Sequence, residues 1–166
     1  MSAPLHAAAN LEDLHFLDCA GEILLLTDEL TREQLMPKDY PFYNPETHQK
    51  LVALLEEKAP TAIIAATSRN PELAGAVYPF PLIEDGNFDI PSVYTTDRVG
   101  AKLCQLAGQT VHLISQAERI PSLGVNVVGR LNPGISEKIV ICAHVDTKPG
   151  TPGALDNAAG VITLLL

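Results

Sequence analysis

A histidine and two carboxylates gathered around a tight turn form a pattern that can hold a metal ion. This chain carries that pattern in His144-Val-Asp146-Thr-Lys-Pro-Gly-Thr-Pro-Gly-Ala-Leu-Asp156-Asn-Ala-Ala-Gly160. Zinc takes neutral imidazole nitrogen and carboxylate oxygen as ligands, and a two-metal hydrolase also needs a carboxylate that bridges both ions. His144 and Asp156 are the candidate metal ligands. Asp146 stands two residues after the histidine with the same strand parity, so it can orient and polarise the imidazole. Asp156 follows a Pro/Gly loop and precedes a helical stretch, at the end where a helix favours negative charge. The plain alternative is that His144 is a strand-end polar residue, Asp156 a helix cap, and Gly150 and Gly153 turn residues. An isolated His-X-Asp defaults to that alternative, but the whole constellation favours a metal site.

The elements that must position these groups are legible on both sides. Lys138-Ile-Val-Ile-Cys-Ala-His144 reads as a buried parallel strand. Ligands of open α/β sheets bind at the carboxyl ends of such strands. Val125 to Leu131 reads as the preceding strand, Asn132-Pro-Gly134 as a turn, and Asn157 to Leu166 as the first turns of a helix. With the chain ending at Leu166, a site begun at His144 is expected to be unfinished within it.

Upstream, Gly21 to Thr27 is an apolar strand, and three prolines between Pro37 and Pro45 forbid regular structure. From Glu46 to Lys58, Leu51, Leu54 and Leu55 recur at helical spacing, with Glu56, Glu57 and Lys58 on the other face or at the end. Thr61 to Thr67 is a buried strand that Ser68-Arg-Asn-Pro71 breaks, and Pro79 to Asp89 is a loop. Ile90 to Thr95 is a short strand leading into a helix over about 96–106, with Asp97 as cap and Val99, Leu103 and Leu106 on the buried face. Gly108 ends that helix, and Thr110 to Ser115 alternates like a strand with one wet face. Arg119 to Gly124 is linker-like, which places a domain boundary near residue 120.

Composition bounds the function classes. Hydrophobic residues make up 46% and charged residues 19% of the 166, which is globular rather than disordered. No apolar run approaches the roughly 18 residues of a membrane span. The net charge of −9 argues against a nucleic-acid or anionic-membrane partner. Met1-Ser-Ala-Pro-Leu-His-Ala has no basic region followed by an apolar core, so a cytoplasmic location is expected. Cys19, Cys104 and Cys142 are odd in number and lie among apolar neighbours, which predicts buried free thiols and a reducing compartment. His6, His15, His48 and His112 lack companions at ligand spacing and read as structural or solvent-facing.

Ile-Cys-Ala-His144-Val-Asp146-Thr together with Gly-Ala-Leu-Asp156-Asn157-Ala-Ala-Gly160-Val closely resembles the metal-binding signature of the di-zinc aminopeptidases, the family that includes aminopeptidase Y and glutamate carboxypeptidase relatives. There a strand ends in His-X-Asp, and twelve positions after the histidine an aspartate opens an Asp-Asn or Asp-Asp step; His144 and Asp156 are twelve apart. The resemblance implies that His144 ligates one zinc ion, Asp156 bridges two, and Asp146 holds the histidine as part of the catalytic apparatus. It covers about residues 121–166. Asn126-Val-Val-Gly-Arg-Leu-Asn-Pro-Gly134 resembles the strand that comes before it. Residues 10–118 resemble, less specifically, the protease-associated domain often inserted in these peptidases, a β-rich unit with flanking helices that shapes substrate access or mediates protein contacts.

The expectation is therefore an α/β chain: a β-rich protease-associated-like domain over residues 1–120, and the first strands of an α/β zinc-peptidase domain over 121–166. The family also uses a downstream Glu-Glu pair, a further Asp and a His. The adjacent pair present, Glu56-Glu57, lies on a surface helix and reads as a solvated face. The chain is thus expected to be a fragment of a zinc aminopeptidase, inactive alone and binding zinc weakly or not at all. In the intact enzyme the partner would be a peptide substrate. Val161 to Leu166 predicts self-association or a chain that completes the fold, with no nucleic acid and no membrane. A non-catalytic interaction module that retains peptidase sequence is the rival reading.

Overall fold

Ile23-Leu-Leu-Leu26 is apolar at every position, and a strand can be so only when both faces of its sheet are covered and both edges are paired. In the computed structural model all four residues are buried. The structure describes residues 1–32, 35–38, 40, 43–67, 88–116, 118, 120–132, 134–147 and 150–166. They fall into two compact units, Met1–Arg119 and Ile120–Leu166.

The first unit is a mixed α/β fold. Its strands are β1 (Ser2–Ala8), β2 (Ile23–Leu26), β3 (Ala62–Thr67), β4 (Ser92–Thr96) and β5 (Thr110–His112), and its helices α1 (Leu11–Phe16), α2 (Glu46–Lys58) and α3 (Asp97–Cys104). The sheet order is β4-β3-β2-β1-β5. The first four strands run parallel, with Leu5 opposite Ile23, Ile23 opposite Ala62 and Ile63 opposite Ser92; β5 is antiparallel to β1. On one face Ala8, Leu24, Leu26, Ile63 and Ala65 pack with Leu14 of α1 and with Leu51, Val52 and Leu55 of α2. On the other, Leu5, Ile23, Leu25, Ala62, Ile64 and Ala66 pack with Leu103 of α3 and with Val111.

Two elements come from weak sequence signals. β1 is rich in alanine, a poor strand former, and exists because β2 and β5 pair with its two edges. α1 is only six residues long but reciprocally capped: Asn10 Oδ1 accepts from the Asp13 amide at 2.9 Å, and Asp13 Oδ2 accepts from the Ala9 amide at 3.1 Å. Its other end is held by the Lys58 ammonium, which donates to the carbonyls of His15 and of Leu17, the latter at 2.8 Å.

Several local expectations shift. The side chain capping α3 is Thr96, whose Oγ1 accepts from the Val99 amide at 3.3 Å, while Asp97 Oδ1 accepts from the adjacent Arg98 amide. Val99 and Leu106 are exposed, because the helix approaches β3 through buried Gly100 and so turns a different stripe inward. β5 ends at His112 rather than at residue 115, since its partner β1 begins at Ser2, directly opposite. Cys19 is buried, but Cys104 and Cys142 are exposed, and all three are unpaired. Cys104 sits on the outer side of α3, and Cys142 in a run without sheet neighbours. The break at 68–71 and most of the 79–89 loop lie outside the described residues.

The second unit holds an irregular widened turn, Ala154–Ala158, and helix α4 (Ala159–Leu165). No strand forms over 125–131 or 139–143 among its described residues, contrary to expectation. A strand needs a ladder partner, and these runs have none within the unit. Their apolar side chains stay in water, with Val127 at 97% and Ile139 at 93% exposure. Among the described residues, no helix is long and apolar enough to cross a membrane.

A Cβ on Gly100 would overlap the Cβ of Ala66, and neither group can rotate away. Gly100→Ala is expected to cost about 1–3 kcal/mol in urea unfolding, as overpacking does. Ellman's reagent is expected to modify two thiols quickly in the native protein and the third only on unfolding, because burial both hides Cys19 and pushes its pKa up.

Candidate functional site

The loop from His144 to Asp156 reverses direction through two glycines with left-handed backbone, Gly150 at φ 83° and Gly153 at φ 62°. The second is constrained twice. A Cβ at Gly153 would lie 2.9 Å from both Cβ and Oγ1 of Thr147, and 3.3 Å from the Asp156 carbonyl oxygen. Thr147 and Thr151 share a hydroxyl hydrogen bond of 2.6 Å across the loop, and the Ala158 amide donates to the Gly153 carbonyl at 2.9 Å. The loop closes so that its two ends meet.

At that meeting point His144 Nε2 lies 2.9 Å from Asp156 Oδ1. On the ring's other side Nδ1 faces Asp146, 3.1 Å from its backbone carbonyl and 3.2 Å from Oδ1. A carbonyl oxygen can only accept, so in this bond Nδ1 carries the proton. The neutral tautomer that keeps the bond therefore leaves the lone pair on Nε2, the nitrogen turned to Asp156. Asp146 fixes the ring orientation through its backbone as well as its carboxylate.

The charge balance follows. The backbone hydrogen bond to Asp146 is the largest influence and raises the His144 pKa above its ordinary value; partial loss of water opposes it. The negative charges of Asp146 and Asp156, and the hydrogen bond to Asp156, raise it further. The Asp156 carboxylate beside Nε2 thus favours the protonated ring.

The donor set fits one edge of a zinc polyhedron. Tetrahedral ligands at about 2.0–2.1 Å from zinc stand roughly 3.3 Å apart, so an ion held between these two atoms requires a separation only a few tenths of an ångström wider than the 2.9 Å observed. His144 Nε2 and Asp156 Oδ1 would hold it, one nitrogen and one carboxylate oxygen, both groups largely accessible. Among the described residues, no group of three or more His, Cys, Asp or Glu side chains converges in ligand geometry. Two donors are what these residues bring together.

Three of the four remaining histidines have other polar partners. His6 Nε2 pairs with Glu22. His48 is buried, and its Nδ1 accepts from the Met36 amide at 3.1 Å. His112 Nδ1 lies 2.7 Å from the Ser2 hydroxyl. Glu56 takes the Lys38 ammonium at 2.7 Å on the exposed face of α2.

Asn157 and Gly160 stand in the sequence signature with no role that their types alone assign. Asn157 Oδ1 accepts from the Gly160 amide at 3.1 Å, so the asparagine, rather than Asp156, satisfies a backbone donor at the start of α4. That leaves the Asp156 carboxylate to face His144. An Asn followed three residues later by Gly is a weak signal, common wherever chains turn.

Residues 126–166 match the model of peptidase family M28. The match takes in the whole loop and its flanking segments, and none of residues 1–125. It relates this segment to a family of metallopeptidases, which are zinc-dependent hydrolases in general. No curated protein and no solved structure matches the chain.

In an NMR titration, the His144 imidazole is expected to show a midpoint above the ordinary histidine value of about 6.5. A raised pKa keeps the proton on Nε2 to higher pH, so zinc binding should weaken as the pH falls through that midpoint. A midpoint at or below the ordinary value would contradict the observed contacts.

Proposed function

We propose that residues 121–166 are the amino-terminal part of a zinc-peptidase domain, in which His144 ligates one zinc ion, Asp156 bridges two, and Asp146 holds the imidazole. The observation that carries this reading is the 2.9 Å approach of His144 Nε2 to Asp156 Oδ1, inside the segment that matches the M28 family. The intact enzyme would hydrolyse amino-terminal peptide bonds. Bound zinc would supply a water of lowered pKa and polarise the scissile carbonyl. Asp146 keeps the proton on Nδ1 and Nε2 free, and Asp156 presents two oxygens that can be shared between ions.

Among the described residues no glutamate joins His144 and Asp156 to act as general base, so the 166-residue chain is proposed to be inactive alone and to bind zinc weakly. Residues 1–120 are proposed to act as a protease-associated-like domain that shapes substrate access or mediates contacts; the sheet with its flanking helices supports this reading. The unpaired cysteines support a cytoplasmic location.

The bare apolar runs at 125–131 and 139–143 favour a second reading, in which this unit works by association, with another copy or with a polypeptide that completes its sheet. A monomer at high concentration in sedimentation would argue against self-association.

Zinc titration of the purified chain tests the primary reading. Weak binding is expected, abolished in His144→Ala and in Asp156→Ala and weakened about tenfold in Asp146→Asn. Unchanged binding in both ligand variants would overturn the assignment. Chelator-sensitive hydrolysis of aminoacyl-nitroanilides by the chain alone would overturn its proposed inactivity.

A further inference from the structure

The turn after Asp156 contains an interlock that the metal-ligand assignment does not use. Asn157 Oδ1 receives the Gly160 amide at 3.1 Å, and its amide group fills the space where any side chain at position 160 would begin. A Cβ built on Gly160 would overlap Asn157 Oδ1, and would stand 2.8 Å from its Cγ and 2.9 Å from its Nδ2. Gly160 has an ordinary backbone conformation, so left-handed geometry does not demand a glycine there. The three atoms nearest to that Cβ all belong to the Asn157 side chain. Asn157 is also bonded covalently to Asp156, whose carboxylate must meet an imidazole held from its far side by Asp146. Where the Asn157 amide sits thus governs how residues 157–160 turn, and with them the direction in which Asp156 leaves the loop.

We infer that Asn157 and Gly160 are a coupled pair of positioning residues that set the Asp156 carboxylate toward His144. This rests on the reading of His144 and Asp156 as zinc ligands. An alanine at 160 should act by expelling the Asn157 amide, because that amide is the mobile partner in the clash. The two positions are then a single device: removing the Asn157 side chain removes the three atoms that stand nearest to a methyl group at 160.

Zinc titration of the full 166-residue chain, followed by calorimetry, tests this without any activity. Asn157→Ala and Gly160→Ala are each expected to weaken binding about tenfold, the scale on which groups behind a metal ligand act. The double variant is expected to bind no more weakly than Asn157→Ala alone, the non-additivity of residues that share one contact. Asn157→Asp, which keeps an acceptor oxygen of the same reach, is expected to bind at least as well as the native chain. Additive losses in the double variant, or native binding in both single variants while His144→Ala abolishes it, would overturn the coupling and leave the ligand assignment standing. Equal binding by the native chain and His144→Ala would overturn the ligand assignment, and the coupling with it.

Discussion

A β-strand of apolar residues is stable only with ladder partners at its edges and cover on its faces, and that requirement organises this chain. In residues 1–119 it is met. β2 lies between β1 and β3, with α1 and α2 over one face and α3 over the other, and Ile23, Leu24, Leu25 and Leu26 are all fully buried. Each such side chain contributes about 1.5–3 kcal/mol when removed from water. The polar contacts around the sheet work on its ends: Thr31 donates to the Ala66 carbonyl at 2.7 Å, the Thr61 amide to the Glu22 carbonyl at 2.8 Å, and the Lys58 ammonium to the last carbonyls of α1. In residues 120–166 the same kind of sequence has neither ladder nor cover, so Val125, Val127, Ile139 and Val140 stay exposed.

The loop that carries the site does not depend on a sheet for its local geometry. Glycines at 150 and 153, the threonine pair at 147 and 151, and the asparagine at 157 act over short stretches of chain, and together they bring groups twelve residues apart into contact. A preformed pair of donors saves part of the ordering cost that a metal would otherwise have to meet on binding. The site is organised at the level of turns, whereas the strand that should present it is organised at the level of a sheet.

Charge divides along the same line. Past residue 119 the chain has Arg130, Lys138 and Lys148 against Glu137, Asp146 and Asp156, so the whole net charge of −9 belongs to the first 119 residues. The second unit combines electrical neutrality with a high density of bare aliphatic side chains, a surface suited to burial rather than to solvation.

Local chemistry was readable without any structure. The strands at 23–26, 62–67 and 92–96 and the helix at 46–58 declare themselves because their own residues carry the periodicity and the breakers that bound them. The twelve-residue spacing of His144 and Asp156 and the parity of Asp146 are likewise properties of the chain. The tertiary structure alone decided the rest, for reasons that involve distant residues. β1 is a strand because β2 and β5 pair with it, and α3 turns Gly100 inward because Ala66 is there to meet it. Likewise, 125–131 and 139–143 stay unpaired because an apolar run specifies that it should be buried and cannot supply the neighbour that buries it. The tautomer of His144 belongs with these: it is set by the Asp146 backbone carbonyl, a group every residue has, and only its position in space gives it a role.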